Sequence, residues 1–93
     1  MRYGWDSKKA DQNIRKHRVD FADAAIALED ENALTIEDFG HNEQRFKTLG
    51  MGPQLNIIFV VHVERCGDTI RIISARKADR SETKQYYQGI SYE

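Results

Sequence analysis

The sequence is poor in the residues on which specialised small proteins depend. Its 93 residues include one cysteine, one proline and one tryptophan, and the formal net charge is −1. A single cysteine, Cys66, excludes an internal disulfide. Because it lies in "RCGD", which is typical of a turn, we interpret it as a surface thiol rather than a redox or nucleophilic group. No apolar run approaches the ~18 residues that a membrane helix requires, and the N-terminus lacks the apolar centre of a signal peptide. We therefore expect a cytoplasmic protein with no membrane partner.

The overall composition is that of a single globular domain spanning residues 1–93. Hydrophobic residues make up 40% and charged residues 31%, which argues against wholesale disorder. The charges are segregated along the chain. Residues 1–18 contain six Lys or Arg, residues 19–42 contain seven Asp or Glu and no Lys or Arg, and residues 43–85 contain eight Lys or Arg against five Asp or Glu. This asymmetry either makes one face attractive to polyanions or only solvates separate surfaces.

The sequence contains no recognisable metal or cofactor motif. His17, His41 and His62 are far apart, without the ligand spacing or the cysteine partners of a zinc site. The glycines form no phosphate-binding loop, and no serine stands in a nucleophile motif. We therefore predict no metal, no cofactor and no acyl-transfer chemistry.

Helical patterns occupy the first third of the chain and its end. Residues 6–17 have helical periodicity, with Asp6 or Ser7 available to cap the first turn. A second helix begins after Asp20 and carries an apolar stripe at helical spacing. Residues 79–87 predict a short C-terminal helix, because they open with an Asp-x-x-Glu capping pair.

Strand patterns fill the rest of the chain. Runs of β-branched and alternating apolar residues, separated by glycine-containing turns, are typical of strands. They lie in "ALTIED", "QRFKTLGM", "LNIIFVVHVER" and "DTIRIISAR", and "RYGW" is a candidate for a short opening strand. The predicted class is α+β, with two N-terminal helices packed on an antiparallel sheet of about four strands and one C-terminal helix.

The last two strands predict a tight hairpin with a definite register. If Cys66 and Gly67 form a two-residue loop, His62 lies directly opposite Arg71. Directly opposed side chains in a hairpin are ~5 Å apart at Cβ. The other face of the hairpin is then entirely apolar and packs on the helices.

The stretch "RIISARKADRSETKQYY" predicts a site for an anion, because a strand runs straight into several cations and two tyrosines. RNA can be cleaved without a metal when its 2′-hydroxyl attacks phosphorus, a base accepts the proton and cations stabilise the phosphoryl oxygens. Histidine suits the proton transfers and arginine suits the phosphate. The candidate catalytic residues are His62, Arg71, Arg76 and Tyr86. A structural role is also open for His62, and tyrosines such as Tyr86 are more often packing residues than catalysts.

Further cations are candidates for contacts with the RNA backbone. Arg45 and Lys47 alternate with Phe46 on a predicted strand, so both cations point to one face of the sheet. His17 ends the first helix, where it is either an RNA contact or a structural residue whose charged form interacts favourably with the helix dipole. The cations after the last strand, Lys77, Arg80 and Lys84, either make weak contacts with RNA phosphates or are simply solvated. The candidate RNA-binding residues are His17, Arg45, Lys47, Lys77 and Arg80.

The segments "YGWDSKKADQNIRKHRVDFADAA", "LTIEDFGHNEQRFKTLG" and "VVHVERCGDTIRIISARKADRSETKQYY" together resemble the BrnT family. The resemblance spans nearly the whole chain. It implies a RelE-like ribonuclease toxin of a type II toxin–antitoxin system that cleaves mRNA, either free or on the ribosome, and blocks translation. It also implies a BrnA-type antitoxin in a heterotetramer of two toxins and two antitoxins, with DNA bound only through the antitoxin. The family usually has glycine after "KH", where this chain has Arg18.

A second hypothesis is a protein-interaction module without catalysis. The acidic residues 29–38 and the basic sheet face would then bind an antitoxin-like partner.

Overall fold

In a computed structural model, the chain is described over residues 2–40, 43–65 and 67–91. His41 and the predicted surface thiol of Cys66 lie outside the described residues. Within them, the elements follow the order β1 (Arg2–Gly4), α1 (Ser7–His17), α2 (Phe21–Leu28), β2 (Leu34–Asp38), β3 (Arg45–Met51), β4 (Ile57–Glu64), β5 (Thr69–Lys77) and α3 (Arg80–Ser91). The α+β class and the predicted order of helices and strands are confirmed. No helix of the described part is long and apolar enough to cross a membrane.

The sheet is mixed rather than wholly antiparallel. Its five strands stand in the order β1-β5-β4-β3-β2. The predicted antiparallel strands are present as β2 to β5, but β1 adds a fifth strand that runs parallel to β5, with Gly4 opposite Arg71. Propensity alone does not give the direction of so short a strand, because its pairing partner lies at the other end of the chain.

The helix starts follow the local capping signals. Asp6 accepts hydrogen bonds from two backbone N–H groups of the first turn of α1, and Asp20 does the same for one N–H of α2. Before α3, the Glu82 N–H donates to Asp79 Oδ1 at 2.8 Å and the Asp79 N–H donates to Glu82 Oε1 at 2.9 Å. The predicted reciprocal capping box is confirmed.

Arg18, the residue that caps the C-terminus of α1, adopts a left-handed backbone conformation. Arg18 has φ 59° and ψ 32°, and its N–H donates to the Ile14 carbonyl at 2.8 Å. This conformation is costly for a residue with a Cβ atom. Arginine therefore stands where glycine is favoured, as the departure from the family pattern suggested.

Replacing Arg18 with glycine is expected to stabilise the fold. Relief of the left-handed strain contributes about 1 kcal/mol, which corresponds to a rise in Tm of about 4–8 °C for a domain of this size. Thermal denaturation followed by circular dichroism measures it. Arg15→Gly, the same exchange inside the helix, is the matched control and is expected to cost about 1 kcal/mol. Equal losses in both variants would contradict the left-handed cap.

The helices cover the two faces of the sheet unequally. Helices α1 and α2 pack on one face around a cluster that includes Phe21, Val60 and Ile72. Helix α3 covers part of the other face through Tyr86, which packs on Leu49 and Ile57. The remainder of that second face is left open.

Two close contacts fix the N-terminal helices against the sheet. The buried Asn13 amide donates to the carbonyls of Ala75 and Val19 at 2.7 and 2.9 Å, and accepts from the Ala75 N–H at 3.1 Å. It thereby binds α1 to the outer edge of β5 as a neighbouring strand would. At α2, Gly50 lies so close to Ala27 that a Cβ atom would overlap the Ala27 carbonyl oxygen.

The predicted register of the β4–β5 hairpin is wrong by one residue near the turn. The Arg65 N–H donates to the Thr69 carbonyl at 2.8 Å, and His62 lies opposite Ile72 rather than Arg71. A bulge beside His62 shifts the register once more along the strands. Because side chains alternate between faces, this slip places His62 and Arg71 on opposite faces of the sheet.

Candidate active site

Two grooves border the second half of β5, and each collects predicted residues. The first, here called the open groove, has a volume of about 410 Å³ on the face that α3 partly covers. The second, here called the α1 groove, has a volume of about 260 Å³ between α1 and β5. The open groove is lined by Leu34, Ile36, Lys47, Leu49, Phe59, Arg76, Glu82 and Gln85. The α1 groove is lined by Lys9, Gln12, Asn13, Lys16, His17, Ile73 and Ser74.

Arg76 is the cation of the open groove with the most hydrogen bonds. Its two terminal nitrogens donate to the two carboxylate oxygens of Glu82 at 2.8 and 2.9 Å, and Nη1 also donates to the Lys77 carbonyl at 3.2 Å. The guanidinium lies 4.2 Å from the centre of the Phe59 ring. The hydrogen bond from Arg76 holds the pKa of Glu82 below its ordinary value, against the opposing effect of burial. The side chain of Arg76 keeps 37% of its surface exposed, so an incoming oxyanion can reach a fork that is already aligned.

Lys47 and Arg45 stand on the same face of β3. Lys47 lines the open groove and pairs with Asp38 at 3.4 Å. Arg45 is two residues away and points to the same side by strand alternation. Its Nε is buried without a hydrogen-bond partner among the described residues. The predicted basic strand thus faces the same side as Arg76.

Arg71 lies on the face of Arg76 but at the other end of the strand. Five residues of strand separate them, or about 16 Å. The charge of Arg71 contributes to lowering the pKa of Asp6, after the larger effects of the Lys9 and Lys8 N–H groups. Nothing in the geometry brings the two arginines to one phosphate, so their joint role remains a prediction.

His62 is buried beneath the helices rather than exposed in either groove. It is 5% exposed, its Nε2 is 2.8 Å from the Thr48 hydroxyl, and its ring stacks on Phe46. Its Nδ1 has no partner among the described residues. Burial lowers the pKa of His62 to about 4. The observed register shows that the predicted proximity to Arg71 is wrong, and His62 lines neither groove. A catalytic role for His62 stays a prediction.

Acidification is expected to destabilise the fold through His62. Its folded pKa of about 4 lies below the ordinary 6.5, so the unfolded chain binds more protons between these values. The stabilisation is complete above pH 6.5 and falls by up to about 3 kcal/mol as the pH drops to about 4. Urea unfolding at several pH values measures this slope. His62→Gln is expected to flatten it, whereas Thr48→Val lowers stability and keeps the slope. A slope unchanged in His62→Gln would rule out the buried histidine as its source.

Tyr86 is committed to a contact inside the fold. It is 1% exposed, and its hydroxyl donates to the carboxylate of Asp30. Burial, followed by this hydrogen bond, raises the pKa of Tyr86 above its ordinary value. Asp30 also accepts from the N–H groups of Met51 and Asn32. No pattern in the sequence marks Asp30, which fastens α3 and β3 to the end of α2. A catalytic role for Tyr86 remains a prediction that no contact here supports.

The other predicted RNA contacts lie at the surface around β5. His17 is half-buried in the α1 groove, beside Lys9 and Lys16. Lys77 ends β5 and Arg80 begins α3, and both are exposed. In the described residues, no group of three or more His, Cys, Asp or Glu is arranged to hold a metal ion.

Comparison with known proteins settles the family. A family model described as the ribonuclease toxin BrnT of the type II toxin–antitoxin system matches residues 5–82. The chain belongs to the BrnT family. A crystal structure at 1.1 Å of the ribonuclease toxin BrnT from Brucella abortus is 29% identical and superimposes with a TM-score of 0.70, covering 86% of this chain and 99% of that one. None of the curated protein sequences compared with the chain matched it. The resemblance read from the sequence is confirmed, and both grooves lie largely within the BrnT match.

Proposed function

We propose that this BrnT-family toxin is a metal-independent endoribonuclease that cleaves mRNA and stops translation. The scissile phosphate binds in the open groove. The observation that carries the proposal is the two-pronged guanidinium of Arg76, which lies over the Phe59 ring and shares the open groove with Lys47, in a ribonuclease family.

The Glu82 carboxylate occupies the position that a phosphate would take. Carboxylate and phosphate both present two oxygens at the spacing of the guanidinium fork. An incoming phosphodiester exchanges with Glu82 at Arg76, and Lys47 adds a second positive charge from β3. Glu82 then lies free beside the bound phosphate, still attached to the start of α3 through the Asp79 N–H.

Cleavage in this site follows from positioning and charge. Glu82 accepts the proton of the ribose 2′-hydroxyl while the 2′-oxygen forms a bond to phosphorus. The bond from phosphorus to the 5′-oxygen breaks, and that oxygen takes a proton from solvent. Arg76 and Lys47 stabilise the charge that develops on the phosphoryl oxygens. The products are a 2′,3′-cyclic phosphate and a 5′-hydroxyl.

The partner that we propose is a BrnA-type antitoxin, in a complex of two toxins and two antitoxins that binds DNA through the antitoxin. The edge of the sheet supports a protein-binding surface. Ile36 of β2 is 64% exposed and Phe39, directly after the strand, is 72% exposed. Apolar side chains at an unpaired edge favour docking of another chain.

A binding module without catalysis is the second candidate. It is favoured by one observation, namely that Arg76 and Lys47 are both paired with carboxylates in the free protein. An antitoxin could bind the apolar edge of β2 and the adjoining groove without any chemical step.

The decisive experiment uses a labelled oligoribonucleotide with excess EDTA. Cleavage with cyclic-phosphate ends is expected for RNA and none for the same sequence carrying 2′-O-methyl groups. Addition of the purified toxin to a translation extract is expected to stop protein synthesis and to shorten the mRNA. Tight binding of the co-expressed antitoxin without any cut product would favour the binding module. Cleavage abolished by EDTA and restored by a divalent cation would contradict metal independence.

A further inference from the structure

We infer that the α1 groove is a second RNA-backbone site, which binds a phosphate of the strand whose scissile phosphate lies at Arg76. This inference rests on the proposed function. The groove lies on the outer side of β5 and is lined by different residues from those that build the open groove.

One face of α1 supplies the charged wall of this site. Lys9, Gln12 and Lys16 follow one another at spacings of three and four, so they project from the same side of the helix. His17 stands at the end of that wall, and the opposite wall is Ile73 with Ser74. The wall is rigid because the neighbouring Asn13 amide is bound to β5.

The cations of the α1 groove are not neutralised by the fold. None of the described residues that line the groove is acidic, and Lys9, Lys16 and His17 form no ion pair with any described residue. Asp6 is close enough to sense the charge of Lys9, but the two do not form an ion pair. In the open groove, by contrast, the cations are each matched by a carboxylate. Of the two grooves, the α1 groove is therefore the one with positive charge left for an anion.

The two grooves lie next to each other on β5, where Ser74 lines the α1 groove and Arg76 lines the open groove. Ser74 and Arg76 lie two residues apart and on the same face, a distance of about 7 Å. The bulge at Ile73 is next to Ser74, and pairing of β1 with β5 ends at Arg71, before this point. An RNA strand bound at Arg76 can therefore continue over the outer edge of β5, beyond the end of β1. On this path it passes Ser74 and reaches the lysines of α1.

The lining favours a phosphodiester over a protein segment. Ile73 is the one large apolar side chain among the lining residues, so a peptide would bury little apolar surface there. Two ammonium groups, an imidazole and the polar groups of Gln12 and Ser74 suit phosphate oxygens and ribose hydroxyls. Contacts of this type are insensitive to base sequence and depend strongly on salt.

The test measures the salt dependence of RNA binding with a fluorescein-labelled 2′-O-methyl oligoribonucleotide, which cannot be cut. The logarithm of the association constant for RNA is plotted against the logarithm of the salt concentration. In the Lys9→Ala/Lys16→Ala variant the slope of this plot is expected to be less steep by about 0.7 for each phosphate that the removed lysines neutralise. Lys8→Ala/Arg15→Ala is the matched control, since both side chains are exposed on the same helix and outside the groove. We expect it to change the slope by less than half as much.

The possible results distinguish a failure of the second RNA site from a failure of the proposed cleavage at Arg76. Equal slopes for the groove variant and its control would overturn the second site while leaving cleavage at Arg76 intact. A groove variant that binds antitoxin weakly but keeps the wild-type RNA slope would identify the groove as a protein surface and also overturn it. Wild-type protein that neither binds nor cuts RNA would overturn both proposals. Gln12→Glu introduces a carboxylate on the exposed side of α1 and is expected to weaken RNA binding, and it carries the test if the double variant does not fold.

Discussion

Arg76→Ala is expected to lower kcat/KM for RNA cleavage by about 100- to 1,000-fold, because the variant lacks a preorganised donor to the phosphoryl oxygens. The measurement is cleavage of a labelled oligoribonucleotide at saturating and limiting concentrations. Arg76→Lys keeps the charge without the two-pronged geometry, so its activity should lie between those of the wild type and the alanine variant. Relief of growth arrest in cells is expected to follow the same order.

The control for Arg76 is Arg15, an exposed arginine of α1 that lines neither groove. Arg15→Ala removes the same charge and is expected to retain most of the activity. Arg71→Ala is expected to have a smaller effect than Arg76→Ala, since Arg71 lies about 16 Å along the strand. A fully active Arg76→Ala, with the fold verified by circular dichroism, would remove the open groove from consideration as the active site.

Gly50→Ala is expected to destabilise the protein by about 3 kcal/mol or more. The added methyl group would overlap the Ala27 carbonyl oxygen and lie 2.8 Å from its carbon, and these atoms belong to the backbone of α2. The strain cannot be relieved by a side-chain rotation, so α2 must move away from β3 and loosen the core. A change of this size is a large part of the stability of a domain of 93 residues.

The matched substitution is Gly4→Ala in β1, where a Cβ atom would meet no heavy atom within 4 Å. Urea denaturation of both variants measures the difference. Gly4→Ala is expected to remain within about 0.5 kcal/mol of the wild type. If Gly50→Ala were equally mild, the close approach of α2 to β3 would be incorrect.

The features predicted best from the sequence are those determined within a few residues. The caps at Asp6 and Asp20 and the box formed by Asp79 and Glu82 depend on neighbours two or three positions away. Spacing alone therefore predicts where the helices begin, although it leaves Asp6 and Ser7 as alternatives for the first cap.

The predictions that failed depend on contacts between distant parts of the chain. The register of β4 and β5 assumed a two-residue loop and a regular ladder, whereas the observed pairing is shifted by one residue and interrupted by a bulge beside His62. Asn13 and Asp30 bind partners 62 and 56 residues away, and no local pattern marks them. Candidate Arg76 was identified because a cation at the end of an apolar strand is unusual, but its pairing with Glu82 needed the turn into α3 to be known.

The double role of Glu82 ties the order of a helix to the occupancy of a ligand site. One carboxylate closes the first turn of α3 and also satisfies Arg76. A ligand that displaces Glu82 from Arg76 leaves this turn held only by the two hydrogen bonds of the capping box, and unfolding of the turn removes the carboxylate partner of Arg76. By thermodynamic reciprocity, each event must favour the other to the same extent. The stability of the first turn of α3 thus depends on whether a ligand is bound to Arg76 of β5, with no hinge or moving domain required.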